Sequence, residues 1–450
     1  MSKQRQIKLA AYLIGTGMHI ASWRHPDAQP NASIDVKQFQ KLAQIAEKGK
    51  FDLAFIADTL AINHESHPQI LNRFDPTVLI TAIAAATEKI GIGATASTTY
   101  SEPYHLARQF ASVDHISNGR AAWNLVTTSD ATGETALNFS RDTHWDHDER
   151  YKRAEEFVDV VKGLWDSWED DAFLYNKQTG EFYDKNKVHE LNYKGKYFSV
   201  KGPLNIARSK QGQPVIVQAG ASEPGQRLAA RVAEVVFVHW DNIAEAKQFY
   251  KKLKSQLSDF GRSEAELHIL HGISPIVGET EEIVLQKYQE LQKLIDPYES
   301  LKFVSGYMGN VDFSKYDLDT PAKGVEFPVV NSIQSHFYEM KKIIDSEDLK
   351  VGDLYNRFFG PGRRDAFVGT PTQVADEIER WFTEKAADGF MLQFPLYPND
   401  LENFVELVVP ILQERGLFRL DYEGETLRDY LSLKKPENIY SHAKVVSKQK

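Results

Sequence analysis

Two stretches carry residue types suited to holding a ligand where a strand ends. Gly119-Arg-Ala-Ala-Trp-Asn-Leu-Val-Thr-Thr-Ser129 has the run of a buried strand that turns polar at Asn124. A buried amide offers two donors and an acceptor, and each needs a partner. His147-Asp-Glu-Arg-Tyr151 has the pattern of a helix start, with Asp148 and Glu149 placed at its positive end. His147 and Tyr151 are four residues apart, so an imidazole and a phenol share one helix face. Standing alone, each stretch also has a plain structural account: a well-capped helix with a surface histidine, and a strand with one polar residue.

Other candidates sit just past apolar runs. Gly15–Pro26 gathers His19, Trp23, Arg24 and His25 in one loop, which could overhang a site or simply be solvated. Asp58 follows the run 51–57, where a carboxylate could bind a ligand or cap the next segment. Thr95 lies in Ala94-Thr-Ala-Ser-Thr-Thr-Tyr100, small enough to let a flat ligand near the backbone, though threonine also favours strands. Gly220-Ala-Ser222 opens a helix and presents N–H groups and a hydroxyl, the chemistry of a phosphate site. Arg150 and Arg227 could hold an anion, with solvation as the ordinary alternative. The histidine spacing supports no metal site, and no Gly-x-Ser-x-Gly elbow marks a hydrolase.

The elements that must position these residues alternate. Short apolar runs at 7–14, 51–57, 90–96, 121–127, 214–219, 234–239, 268–277 and 390–394 predict eight strands. Helical spacing predicts helices over 35–48, 76–88, 103–116, 147–168, 223–232, 244–260, 281–295 and 401–413. Strands apolar throughout, rather than alternating, indicate a parallel sheet buried on both faces. Eight such units predict an α/β protein, a (β/α)8 TIM barrel, with an open doubly wound sheet as the alternative. In a barrel, the residues ending the strands face the active site. The expected domain covers 1–420, with insertions near 170–207 (holding a hairpin at 191–200) and 297–364 over the mouth. Residues 421–450 read as a charged C-terminal tail.

Composition narrows the classes. A net charge of −10 argues against a nucleic-acid partner. The absence of cysteine removes disulfides, thiolate zinc sites and a cysteine nucleophile, and suits the cytoplasm. No apolar run approaches the length of a membrane span, and residues 1–7 lack a signal-peptide core.

Together the stretches are far more specific. Gly17-Met-His-Ile-Ala-Ser-Trp-Arg-His-Pro26, Lys50-Phe-Asp-Leu-Ala-Phe-Ile-Ala-Asp58, Ser117-Asn-Gly-Arg-Ala-Ala-Trp-Asn-Leu-Val-Thr-Thr128, His147-Asp-Glu-Arg-Tyr151, Gln218-Ala-Gly-Ala-Ser222 and Val368-Gly-Thr-Pro371 span nearly the whole chain. In this order they resemble the bacterial luciferase-like flavin monooxygenases. The branch is the one holding nitrilotriacetate monooxygenase component A, dibenzothiophene sulfone monooxygenase and pristinamycin synthase A. The resemblance implies a (β/α)8 barrel that takes FMNH2 from a separate NAD(P)H:flavin reductase. With O2 it would insert one oxygen atom into a small organic substrate. It further implies Asp58, Thr95, Asn124, His147, Tyr151 and Ser222 as cofactor contacts, with Ser222 on the phosphate. On this footing His19 is the expected proton-managing group, Trp23 a pocket wall and Arg24 a partner for a substrate carboxylate. That last expectation points to a carboxylated amine or organosulfur compound, cleaved at C–N or C–S. A homodimer or homotetramer is expected. The alternative is a flavin or deazaflavin oxidoreductase of the same fold that does not use O2.

Overall fold

Successive side chains along a strand point to opposite faces, so a strand that is apolar throughout needs cover on both. The computed structural model describes residues 5–62, 66–128, 134–220, 222–328, 334–359 and 367–441. Eight parallel strands close into a barrel: β1 (Lys8–Tyr12), β2 (Leu53–Ile56), β3 (Gly91–Ser97), β4 (Ala121–Val126), β5 (Val215–Ala219), β6 (Val235–Val238), β7 (His268–Ile273) and β8 (Gly389–Leu392). They follow one another around the ring in sequence order, and β8 pairs with β1 to close it. The register sets Thr95, Asn124 and Val217 side by side on β3, β4 and β5.

Helices α1 (Val36–Lys48), α2 (Pro76–Ala84), α3 (Pro103–Ile116), α4 (His147–Trp165), α5 (Glu223–Val232) and α6 (Ile243–Gln256) follow the first six strands. Their starts are chemically marked. The Asp35, Asp75, Ser222 and Asn242 side chains accept the N–H groups of Lys37, Val78, Gly225 and Glu245. Outward strand residues such as Leu9, Ala54, Ile92, Trp123 and Ile216 join the helices in one apolar cluster. Inward residues Ala10, Leu53, Phe55, Ala122, Val217, Leu270 and Met391 form another inside the ring.

Past β7 the chain leaves the simple repeat. The run expected as one strand at 268–277 splits, because Pro275 has no N–H for the ladder. Ile276–Val277 pairs instead with Val368–Gly369 outside the barrel. Then come α7 (Glu281–Lys293), α8 (Pro297–Tyr307), α9 (Gln334–Ser346), α10 (Leu354–Phe359) and α11 (Pro371–Thr383). The described part of 297–359, expected as a long polar loop, is therefore largely helical. It has its own core, in which Val304, Met308, Phe313, Ile344, Leu354 and Phe358 pack with Ile20 and Ala21 of the first loop. Its glycines and charges dilute the helical period in the sequence without destroying it. Gly360 and Gly362 lie outside the described residues. The helix expected over 401–413 is interrupted by a π turn at Phe404–Val408, next to Pro410, which cannot donate to the ladder.

The strands' amino ends are closed by residues expected as a tail. Leu427, Leu431 and Leu433 join the cluster inside the ring. Gly91 makes room, since a Cβ there would lie 2.5 Å from Leu427 Cδ1. Arg428, buried, pairs with Glu234 and donates to the Gln213 carbonyl at 3.0 and 3.1 Å. The last nine residues, 442–450, are outside the described set.

Candidate functional site

Closing one end of the barrel leaves the strands' carboxyl ends as the open face. On β3 and β4, Thr95 and Asn124 point inward at one level and are joined in a relay. The Asn124 amide donates to Thr95 Oγ1 at 2.8 Å, and that hydroxyl donates to the Ile56 carbonyl at 3.0 Å. Asn124 Oδ1 is buried and has no hydrogen-bond partner among the described residues. An acceptor so placed needs an N–H or O–H donor from a ligand or a water. Two residues past Ile56, Asp58 accepts the Thr59 N–H at 2.8 Å. Burial holds its carboxyl above the ordinary range, against the Thr59 N–H and the Arg73 guanidinium, which pull it down.

A second group forms where α4 and α5 begin. The His147 and Tyr151 rings sit 4.8 Å apart, as their spacing predicts. Tyr151 Oη lies 3.4 Å from Ser222 Oγ, which caps α5 by accepting the Gly225 N–H at 3.3 Å. A Cβ on Gly225 would come within 3.0 Å of Ser222 Oγ and 3.1 Å of Tyr151 Oη. Glycine thus keeps open a small cradle of two hydroxyls at a helix N-terminus, where an anion is stabilised. His147 stands at the rim, its side chain half exposed and 3.2 Å from Asp148. Ala221 is outside the described residues. The unpartnered acceptor and the cradle fit the polar ring edge and the phosphate of a flavin mononucleotide.

The third group stands apart. His19 is buried, with Nδ1 accepting the Ala21 N–H at 3.2 Å and Nε2 3.3 Å from the Gln292 amide of α7. With Nδ1 accepting, the proton of the neutral ring belongs on Nε2, and the Gln292 amide completes the hydrogen bond with its oxygen, rather than its nitrogen, turned towards that proton. Burial, with His67 adding to it, lowers its pKa to about 4. His67 is alike: Nδ1 accepts the Gln69 N–H, Nε2 faces the Ile20 carbonyl at 3.2 Å, and burial lowers it to about 4. Its ring meets Phe303 of α8 edge-on at 5.7 Å. Trp23 is 42% exposed. Arg24, also exposed, donates to the Leu294 carbonyl just past α7. The hydrogen bonds of His19 and Arg24 therefore bind the Gly15–Pro26 loop to α7.

Arg150 is buried and donates to the carbonyls of Thr127 and Thr128, which gives it a local structural partner set, and Arg227 is exposed. No cluster of three or more histidine or carboxylate side chains able to hold a metal occurs among the described residues. The strand ends give no sign of the aromatic rings inside the barrel. Tyr12 and Phe55 lie 5.5 Å apart, and Phe55 and Phe237 6.5 Å. The available signal was the period of two, which puts Tyr12, Phe55 and Phe237 on the same face as Ala10, Leu53 and Val235.

The luciferase-like monooxygenase family profile matches residues 17–389. N-acetyl-S-(2-succino)cysteine monooxygenase of Bacillus subtilis (strain 168) is 52% identical over 98% of this chain and 99% of its own. Nitrilotriacetate monooxygenase component A of Aminobacter aminovorans is 42% identical over 97% of this chain and 99% of its own. Among solved structures, a riboflavin lyase with modified FMN and riboflavin superimposes with a TM-score of 0.84 at 32% identity, covering 96% of this chain and 97% of that one. A relay ending in an unpartnered acceptor, a hydroxyl cradle at a helix start and full-length similarity to named monooxygenases agree, and the chain belongs to the luciferase-like monooxygenase family.

Proposed function

We propose that this chain is the oxygenase of a two-component system, fed FMNH2 by a separate NAD(P)H:flavin reductase and acting on a carboxylated thioether. The observation that carries the substrate class is the 52% identity, across nearly all of both chains, to a monooxygenase named for a succinylated cysteine. The similarity to nitrilotriacetate monooxygenase component A adds a second relative whose named compound bears several carboxylates.

When bound, reduced flavin supplies two electrons, so that one oxygen atom of O2 enters the product and the other leaves as water. The residues have distinct tasks. Ser222, Tyr151 and the N-terminus of α5 hold the phosphate. Asn124 Oδ1 accepts a donor from the flavin, and Thr95 keeps the amide oriented. Asp58 lies beside this relay, and His147 covers the rim. Helices α8 to α10, seated on the first loop, act as the lid that keeps water from the reaction. His19, neutral and carrying its proton on Nε2, manages a proton beneath that lid, with Trp23 at the pocket edge. Arg24 meets a substrate carboxylate once it exchanges its carbonyl partner. Hydroxylation of the carbon next to sulfur gives a hemithioacetal. Its collapse breaks the C–S bond, releasing a thiol and leaving a carbonyl on the former carbon partner. The assembly is a homodimer or homotetramer.

The test supplies a flavin reductase, NADH and FMN, then measures O2 uptake and thiol release with N-acetyl-S-(2-succino)cysteine. Nitrilotriacetate and dibenzothiophene sulfone run alongside. Thiol release matched to substrate-dependent O2 uptake is the expected result. Oxygen uptake no greater than with the reductase alone, for every substrate, overturns the oxygenase reading. Turnover of another compound without thiol release overturns the thioether.

A further inference from the structure

We propose that His239 is a flavin-contacting residue, held at the ring site by the missing side chain of Gly272. The proposal rests on the flavin reading above and names a residue of that site. Strand β6 turns Val235 and Phe237 into the barrel, so His239 is its next inward position. On neighbouring β7, Leu270 is inward, and therefore so is Gly272. A Cβ on Gly272 would lie 2.1 Å from His239 Cε1, 2.5 Å from its Nδ1 and 2.7 Å from Phe237 Cε2. The imidazole thus occupies the place a β7 side chain would take. A glycine inside a strand weakens it and marks a close approach, and here the approaching group is a polar ring.

The surroundings suit a planar heteroaromatic ligand. The His239 and Phe237 rings are 4.7 Å apart at 71°, continuing the row formed by Tyr12 and Phe55. Phe55 is 2% exposed, whereas His239 is only partly buried, so the row ends on a polar ring at the open face. The Nδ1–Cε1 edge faces Gly272, which turns the rest of the ring away from β7. His271, one residue before that glycine, shows the contrast. It faces outward and stacks on Trp381 of α11 at 4.1 Å, a packing role. His19 likewise has both nitrogens engaged by its own loop and α7.

The experiment measures FMN affinity by fluorescence quenching, together with the visible absorption band of the bound oxidised flavin. The variants are His239→Ala, His239→Gln, Gly272→Ala and the double variant Gly272→Ala with His239→Ala. Loss of one hydrogen-bonding contact in His239→Ala is expected to weaken binding about tenfold and to shift the band. His239→Gln, which keeps a donor and an acceptor, regains part of the affinity. Gly272→Ala weakens binding as much as His239→Ala, and adds nothing in the double variant, where no ring remains to displace. Wild-type affinity and spectrum in His239→Ala overturn the assignment, as do losses that simply add in the double variant. If Gly272→Ala does not fold, the two His239 variants decide. Wild-type protein that binds no FMN overturns the flavin reading itself and this assignment with it. Wild-type binding unaffected in His239→Ala overturns this assignment alone.

Discussion

A serine at a helix start can serve its own backbone or a ligand, and Ser222 is placed for both. Its contacts to the Gly225 N–H and the Tyr151 hydroxyl are 3.3 and 3.4 Å, long enough to yield to a charged oxygen. Ser222→Gly keeps a tolerated capping residue, so fold stability should drop by only a few tenths of a kcal/mol. FMN affinity should fall about tenfold in the same variant, as expected for one lost hydrogen bond to a charged group. Equal FMN binding by Ser222→Gly, measured by titration, removes the serine from the proposed phosphate site. The buried histidines give a pH prediction. His19 and His67, each lowered from 6.5 to about 4, take up protons more readily when the chain is unfolded. Their contribution is complete above pH 6.5 and is lost as pH falls towards 4, at up to about 1.4 kcal/mol per pH unit for each group. Urea unfolding at pH 7 and pH 5 should show the wild type losing more stability than His67→Gln, in which His19 and His268, also lowered to about 4, still take up protons on unfolding. Parallel curves for the two proteins count against it.

At the level of elements, the important junction joins the first loop to the inserted helices. Ile20 and Ala21 belong to the insertion's core, and Gln69 donates to the Gly17 carbonyl at 2.8 Å from the other side. Loop and insertion therefore move as one body or separate at a cost in buried apolar surface. Replacing His19 by Ala removes the link to Gln292, and Val304→Ala opens a cavity within the insertion. In the proposed reaction both should lower product formed per FMNH2 consumed, while O2 uptake persists as hydrogen peroxide. Val304→Ala is also expected to cost about 1 to 3 kcal/mol of stability. Unchanged coupling in both variants argues that this junction does not keep water out.

Across the whole molecule, the proposed flavin site and the closed floor lie at opposite ends of one barrel. Asn124, Thr95 and Ser222 stand at the carboxyl ends, while Leu427, Leu431 and Leu433 fill the amino ends. This division lets loops vary at one face while the other remains a packed floor. Leu431→Ala should destabilise by about 2 to 5 kcal/mol. Arg428→Ala, which leaves the partly buried Glu234 with only the Ile216 N–H and the Gln213 carbonyl without these donors, should cost about 1 to 3 kcal/mol. Denaturant titration checks both, and FMN affinity at 25 °C should not change. A large loss of FMN affinity in a folded Leu431→Ala would show the two ends to be coupled.

The chain alone determined what depends on short-range periodicity and residue type. Eight apolar runs and the helices between them are local patterns. So are the pairing of His147 with Tyr151 and the capping serine at α5. Each repeats within a few residues, so backbone geometry translates it directly into structure. Tertiary structure decided what depends on distant chain segments meeting. Leu427, Leu431 and Leu433 are scattered among charges and have no period that marks them as a barrel floor. Helices 297–359 cover an apolar face that only the first loop completes. Arg24 has the right charge for a carboxylate, and only the folded chain seats it on a carbonyl just past α7. His239 and Gly272 lie 33 residues apart on neighbouring strands. Only pairing in register shows that one was left bare for the other.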